Sequence, residues 1–80
     1  MSSYNTKEIE STREKIKENY EQIEEHKEMI YEIDNLLMDK NHNNKYLDEL
    51  KIKYKFHNYQ IENLKTSIFD LEEYIDRIKD

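Results

Sequence analysis

The residues best suited to bind a metal or to move a proton in this chain are its three histidines, His26, His42 and His57. Di-iron helical bundles carry a glutamate three residues before a histidine on facing helices. Here Ile23 precedes His26 at that spacing and Tyr54 precedes His57, so this ligand set is absent. Histidines four residues apart and cysteines are absent as well. We therefore expect no metal and no cofactor, and we interpret His57 as a polar, register-setting residue of a helical seam.

Residues for nucleophilic or phosphate chemistry are also missing. Without glycine the chain cannot form a glycine-rich phosphate loop, and without cysteine it has no thiolate nucleophile. Its serines have no histidine placed by local spacing to activate them. Its 19 acidic residues fit a solvated helix surface with ion pairs four residues apart, such as Glu73 with Arg77. We expect a protein that is not an enzyme and has no small-molecule substrate.

Long amphipathic helices are the elements that must position these side chains. Gly and Pro are absent, which favours uninterrupted helices. In the second half of the chain, apolar residues recur at alternating steps of three and four, as in a coiled-coil seam. The residues of this seam are Leu47, Leu50, Tyr54, His57, Ile61, Leu64, Ile68, Leu71, Ile75 and Ile78.

The first half carries a narrower apolar stripe. One row repeats every seven residues, and the row that we assign as its companion is mostly polar. The apolar row is Ile9, Ile16, Ile23, Ile30 and Leu37. The predicted companion row is Thr6, Arg13, Tyr20, Lys27 and Asp34.

These rows predict an all-α antiparallel hairpin with helices at about residues 5–40 and 44–79 and a turn at 40–44, forming a single domain. When the chain is folded at the turn, each residue of a row on the first helix pairs with a residue of a row on the second. The two residue numbers of every pair add up to the same value. A continuous helix is the alternative, but the step from Leu37 to Leu47 breaks the heptad phase. Asparagine tolerates the left-handed conformation and can close the first helix. Asn44 is the predicted N-cap of the second helix, and Asn5 with Glu8 resembles a capping box for the first.

Apolar residues outside the seam indicate a partner surface. The predicted interface consists of Met29 and Leu36 on the first helix and Ile52, Phe56 and Tyr59 on the back of the second. Because a two-helix hairpin of this size rarely stands alone, we expect a homodimer that forms a four-helix bundle, or a complex with another protein.

The start of the second helix also carries a short motif. The segment Leu-Asp-x-Leu-x-x-x-Tyr follows the turn, at Leu47, Asp48, Leu50 and Tyr54. It resembles the aspartyl-phosphate phosphatases of bacterial sporulation control, which are acidic two-helix hairpins with Ser-Gln ahead of this segment. This chain has Asn44 and Lys45 at the Ser and Gln positions. Because the other matches are also heptad positions, the phosphatase activity that the resemblance implies would depend on Asp48.

Charge and composition restrict the partners further. The net charge is −6, opposite in sign to that of a protein that binds nucleic acid through phosphates. No apolar run has the length of a membrane span or a signal peptide, so we expect a cytoplasmic protein that binds neither nucleic acid nor membrane. Frequent Lys, Asn, Ile and Tyr without Ala, Gly or Pro indicate an AT-rich genome, such as that of a virus or phage. We therefore predict a helical adaptor or assembly component, with a viral inhibitor that binds a host protein through an acidic surface as the alternative.

Overall fold

The chain folds into an antiparallel hairpin of two α-helices. The computed structural model describes residues 3–39 and 41–79, and the molecule measures 61 × 14 × 13 Å. Helix α1 spans Ser3–Met38 and helix α2 spans Asn44–Ile78, and the two pack against each other. The all-α hairpin predicted from the heptad rows is confirmed, and the described residues contain no strand.

The ends of α1 differ from the prediction. Because α1 begins ahead of Asn5, this residue is helical and cannot be the N-cap that the capping box requires. At the other end α1 stops at Met38, and the predicted last residue, Lys40, lies outside the described residues. The Asp39 N–H donates to the Leu36 carbonyl at 3.2 Å and closes the final turn.

The turn is held by short polar side chains rather than by a left-handed asparagine. The Asn41 N–H donates to Asp39 Oδ1 at 3.0 Å, which is the local hydrogen bond of an aspartate turn. None of the described residues has a positive φ, so the left-handed conformation is not used in that part of the chain. The backbone enters α2 through Asn43, which is extended, with φ −74° and ψ 162°.

The N-cap of α2 is Asn43, and the prediction of Asn44 is wrong by one residue. Asn43 Oδ1 accepts a hydrogen bond from the Tyr46 N–H at 2.8 Å, while Asn44 is already helical. This bond satisfies one of the backbone N–H groups that a helix leaves free at its start. Two adjacent asparagines make the position of the cap ambiguous in the sequence, and only backbone geometry separates them.

We expect Asn43→Ala to lower the free energy of unfolding by about 1 kcal/mol, because the Tyr46 N–H loses its partner. Asn44→Ala is the matched control and should leave the stability unchanged or raise it slightly, since alanine is the better helix former. Urea unfolding followed by circular dichroism measures both variants. A larger loss for Asn44→Ala would place the cap at the predicted position instead.

The core is a line of aliphatic side chains between the helices. Its buried members are Ile9, Ile23, Ile33, Leu50, Ile61, Ile68 and Ile75. Ile23, Ile61 and Ile68 form the central cluster, with three further aliphatic side chains packed around it. Every residue of the predicted seam is buried or half-buried. No described side chain is exposed by less than 2%, because each helix has a single neighbour.

The predicted companion row of α1 is wrong, since Thr6, Arg13, Tyr20, Lys27 and Asp34 are all exposed. The row one residue earlier faces α2 instead, and it consists of Asn5, Thr12, Asn19, His26 and Ile33. Burying a charge without a partner is costly, and the predicted row would bury Arg13, Lys27 and Asp34. The observed row contains no permanently charged side chain. Its most buried polar group, the Thr12 hydroxyl, donates to the Glu8 carbonyl at 2.8 Å.

Candidate interaction surface and polar seam

Large exposed hydrophobic side chains are concentrated near the turn. We call residues 24–39 and 41–59 the turn-proximal half. The exposed large hydrophobic residues of the described chain are Tyr20, Met29, Tyr31, Leu36, Met38, Ile52, Phe56, Tyr59, Phe69 and Tyr74. Seven of these ten lie in the turn-proximal half. Single exposed hydrophobic residues are common on any protein, whereas a large exposed group of them usually marks an interaction surface.

All five residues predicted as an interface are exposed. On α1, Met29 and Leu36 are 45% and 38% exposed, and their spacing of seven places them on one side of the helix. On α2, Ile52, Phe56 and Tyr59 are 68%, 53% and 65% exposed. Their spacing of four and three places them in one stripe, which we call the back stripe. The hairpin alone therefore leaves both sets of side chains uncovered.

Charge is divided unevenly between the two helices of the turn-proximal half. There α1 carries five carboxylates against one lysine, whereas α2 carries four lysines against two carboxylates. The four lysines, Lys45, Lys51, Lys53 and Lys55, are all exposed. The net charge of −6 for the whole chain therefore conceals an excess of carboxylates on α1 and an excess of lysines on α2, which we call the acidic stripe and the basic stripe.

A shallow groove lies between the helices near the turn. Its volume is about 210 Å³, and it is lined by Asp34, Leu37, Lys51, Tyr54 and Lys55. Pockets that enclose small molecules usually measure about 300–1,000 Å³. The groove is smaller than this range.

Hydrogen bonds between side chains join the helices at several levels. The contacts are Tyr74 Oη to Glu8 Oε1 at 3.1 Å, Asn19 Nδ2 to Ser67 Oγ at 3.0 Å, and His26 Nδ1 to His57 Nδ1 at 2.7 Å. The Tyr74–Glu8 pair is exposed, whereas the other two are partly buried and help to fix the register, because a slip would leave their polar groups without partners. The sequence identified His57 as a seam residue. It missed Asn19, and it placed Lys27 rather than His26 opposite His57, because the wrong row of α1 was assigned to the core.

The histidine pair lies in the middle of the hairpin. Both rings are half-buried, with centroids 5.0 Å apart. The ring of Phe56 meets both edge-on, with centroids 6.4 Å from His26 and 5.3 Å from His57. Burial lowers the pKa of His57 below 6.5, and the neighbouring His26 and Lys53 lower this pKa further. Among the described residues, no group of three or more His, Cys, Asp or Glu side chains could hold a metal ion.

Outside this surface the sequence left one functional hypothesis, the phosphatase resemblance. Asp48, on which the phosphatase resemblance depends, is exposed near the start of α2. In the described part of the chain, neither helix is apolar over a length that could cross a membrane. Comparison with protein-family models, curated proteins and solved structures finds no match to this chain. Function is therefore inferred from the surface of the hairpin alone.

Proposed function

We propose that this protein is a non-enzymatic protein–protein interaction module, an adaptor or assembly component whose turn-proximal half pairs with a second copy of the hairpin. Two hairpins paired in this way form a four-helix bundle. The observation that carries the proposal is the concentration of exposed hydrophobic residues in one half of the molecule, beside an acidic and a basic stripe.

The exposed area of the hairpin supports self-association. The chain has an accessible surface of 6448 Å². A compact monomer of 10.0 kDa is expected to expose about 5,200 Å². The excess of about 1,200 Å² is larger than the roughly 800 Å² that each partner contributes to a standard interface. Side-by-side pairing of two hairpins would cover this excess.

The charge distribution favours a second copy as the partner. In a two-fold symmetric dimer with α1 of each hairpin against α2 of the other, each acidic stripe meets the basic stripe of the partner, so the dimer contains two such contacts. Surfaces of opposite charge raise the rate and the specificity of association, and like charges exclude wrong arrangements. Glu25 and Glu32 lie three or four residues from Met29 and Leu36. Lys53 and Lys55 likewise lie beside the back stripe.

Charge reversal on one helix at a time tests this arrangement. The α1 variant is Glu25→Lys with Glu32→Lys, and the α2 variant is Lys53→Glu with Lys55→Glu. In the α1 variant positions 25, 32, 53 and 55 are all lysine, and in the α2 variant all four are glutamate. Like charges then face each other at these positions, so we expect each variant alone to sediment as a monomer at a concentration where the wild type is a dimer. In an equimolar mixture, the glutamates of one variant meet the lysines of the other. We therefore expect the mixture to regain the dimer mass.

The same sedimentation experiments can also contradict the proposed dimer. A wild type that stays monomeric up to about 100 μM would exclude self-association of useful strength. Variants that dimerise as well as the wild type would show that the stripes do not meet across the interface. A mixture that stays monomeric would show that the variants lost the dimer for another reason, and circular dichroism of each variant shows whether that reason is unfolding.

The acidic stripe of α1 favours one alternative, an inhibitor of viral or phage type that occupies a basic site on a host protein. Binding through this stripe would weaken steeply as salt screens the charges. A monomeric hairpin whose binding to a partner is lost at high salt supports the inhibitor. A dimer that persists at high salt supports the adaptor, because its apolar contacts are not screened.

A further inference from the structure

We propose that His26 and His57 form a proton-sensitive clasp, and that protonation of both rings opens the middle of the hairpin as the pH falls below neutrality. The clasp joins the two helices within one chain. The proposal therefore does not depend on self-association.

The clasp depends on how many protons two facing nitrogens can share. At 2.7 Å, one Nδ1 must donate its proton and the other must accept it through its lone pair. One added proton on the pair still leaves a lone pair to accept the hydrogen bond. When both rings are protonated, two N–H groups and two positive charges face each other without an acceptor. The clasp cannot keep its geometry in that state.

The surroundings of the pair offer no compensation for a second positive charge. The positions three and four residues from either histidine, which share its side of the helix, are Gln22, Ile23, Met29, Ile30, Lys53, Tyr54, Gln60 and Ile61. Lys53 alone among them is charged, and its charge has the same sign as a protonated ring. Next to His26 in sequence, Glu25 and Lys27 are exposed, and Lys27 pairs with Glu24 at 3.4 Å.

The direction of the pH effect follows from the lowered pKa of His57. The unfolded chain takes up this proton near pH 6.5, while the folded hairpin takes it up only at lower pH. Between these two values the unfolded state binds more protons, so stability falls as the pH falls. The contribution of the clasp to the stability of the hairpin is therefore fully present above about pH 6.5. It is lost as the pH falls toward the lowered pKa of His57.

Because the clasp lies beside the hydrophobic core, we expect its opening to destabilise the core as well. Ile23 lies three residues before His26 and Ile61 four residues after His57, and both belong to the central hydrophobic cluster. Phe56 meets both rings edge-on and also belongs to the back stripe. On the proposed function, an open clasp would therefore also disturb the surface used for self-association.

Urea unfolding of the whole chain between about pH 7.5 and 5.5 tests the clasp, with a chelator present and the protein held at one low concentration. For the wild type we expect the unfolding constant to rise below pH 6.5 by up to about tenfold per pH unit for each extra proton bound on unfolding. His26→Leu combined with His57→Leu removes the shared proton and fills the seam, so its profile should be nearly flat. His42→Gln is the control, because His42 lies in the turn and faces Asp39 at 3.7 Å, and it should keep the wild-type slope.

Two results would overturn the clasp. One is a wild-type profile that is flat above pH 5.5, and the other is a double variant that keeps the wild-type slope. If the double variant does not fold, proton NMR titration of the folded wild type still decides. We expect His57 to titrate below 6.5 and to do so together with a change in the ring resonances of His26. Two rings that titrate independently at or above pH 6.5 would show that no proton is shared.

Discussion

Ile61→Asp should remove most of the helical signal of the chain at neutral pH, whereas Ile52→Asp on the same helix should keep it. Ile61 is 6% exposed and belongs to the central cluster, while Ile52 is 68% exposed on the back stripe. The two substitutions are chemically identical, so the difference between them reports burial alone. Ile23→Asp, at the facing position on α1, should behave like Ile61→Asp because Ile23 is 4% exposed.

The expected size follows from the small reserve of a two-helix domain. Loss of a buried isoleucine costs about 2–5 kcal/mol, and burial of a carboxylate without a partner adds to it. Folded domains of this size have only about 5 kcal/mol of stability. Once the helices separate, neither has a packed apolar face, and isolated helices in water are marginal.

Far-UV circular dichroism with thermal melting measures both variants, at a concentration low enough that self-association adds nothing to stability. A cooperative melt of Ile61→Asp near the wild-type temperature would show that the Ile23, Ile61 and Ile68 cluster is not the core. An unfolded Ile52→Asp would show that the back stripe is needed within the single chain.

The fold was predictable because the heptad pattern of apolar residues in α2 shows which face of that helix is buried. Its seam positions are apolar over more than four heptads with one polar exception, His57, and aliphatic residues at alternating steps of three and four have no other common arrangement. Equal lengths of heptad pattern on both sides of an asparagine-rich segment then favoured a hairpin over one continuous helix. The structure confirms the hairpin, and the four-helix bundle stays a proposal.

The second buried row of α1 was harder to predict, because two candidate rows lie one residue apart and both are largely polar. Apolar periodicity cannot separate them, and the predicted row was chosen for the geometry of its pairing with α2. A comparison of charges would have separated them, since only the predicted row contains Arg13, Lys27 and Asp34. The buried row holds Ile33 and neutral polar side chains. Because of this error Lys27 was predicted to face His57, whereas the buried row places His26 there.

The interface residues were predictable as exposed positions, because helical periodicity shows which side chains lie off the seam. What covers them is not predictable from one chain. A row of exposed apolar residues such as Ile52, Phe56 and Tyr59 looks the same whether a second copy or a different protein packs on it. The opposite charges of the two helices give the preference for a second copy, and that preference comes from their arrangement in the folded hairpin.

Phe56→Glu should convert the dimer to a monomer at concentrations where the wild type remains paired, with helix content nearly unchanged. Phe56 is 53% exposed on the back stripe, so the single hairpin does not depend on burying it. An aromatic anchor buried at an interface typically contributes about 2 kcal/mol or more, which corresponds to about a 30-fold higher dissociation constant for each copy that is lost, and the symmetric dimer loses two copies. The matched control is Phe69→Glu. Phe69 is 60% exposed but lies outside the turn-proximal half, so its replacement should leave the mass unchanged.

Sedimentation equilibrium of the wild type and both variants at matched concentrations decides between these outcomes. Because Phe56 also touches His26 and His57, the measurement belongs at about pH 7.5, where the clasp is closed. Tyr59→Glu provides a second variant on the same stripe, at a residue that is 65% exposed. If Phe56→Glu and Tyr59→Glu both sediment like the wild type, the turn-proximal surface is not where copies of this chain meet. Equal losses of mass in Phe56→Glu and Phe69→Glu would instead show that the interface runs the length of the hairpin, because an added charge would then weaken it in either half.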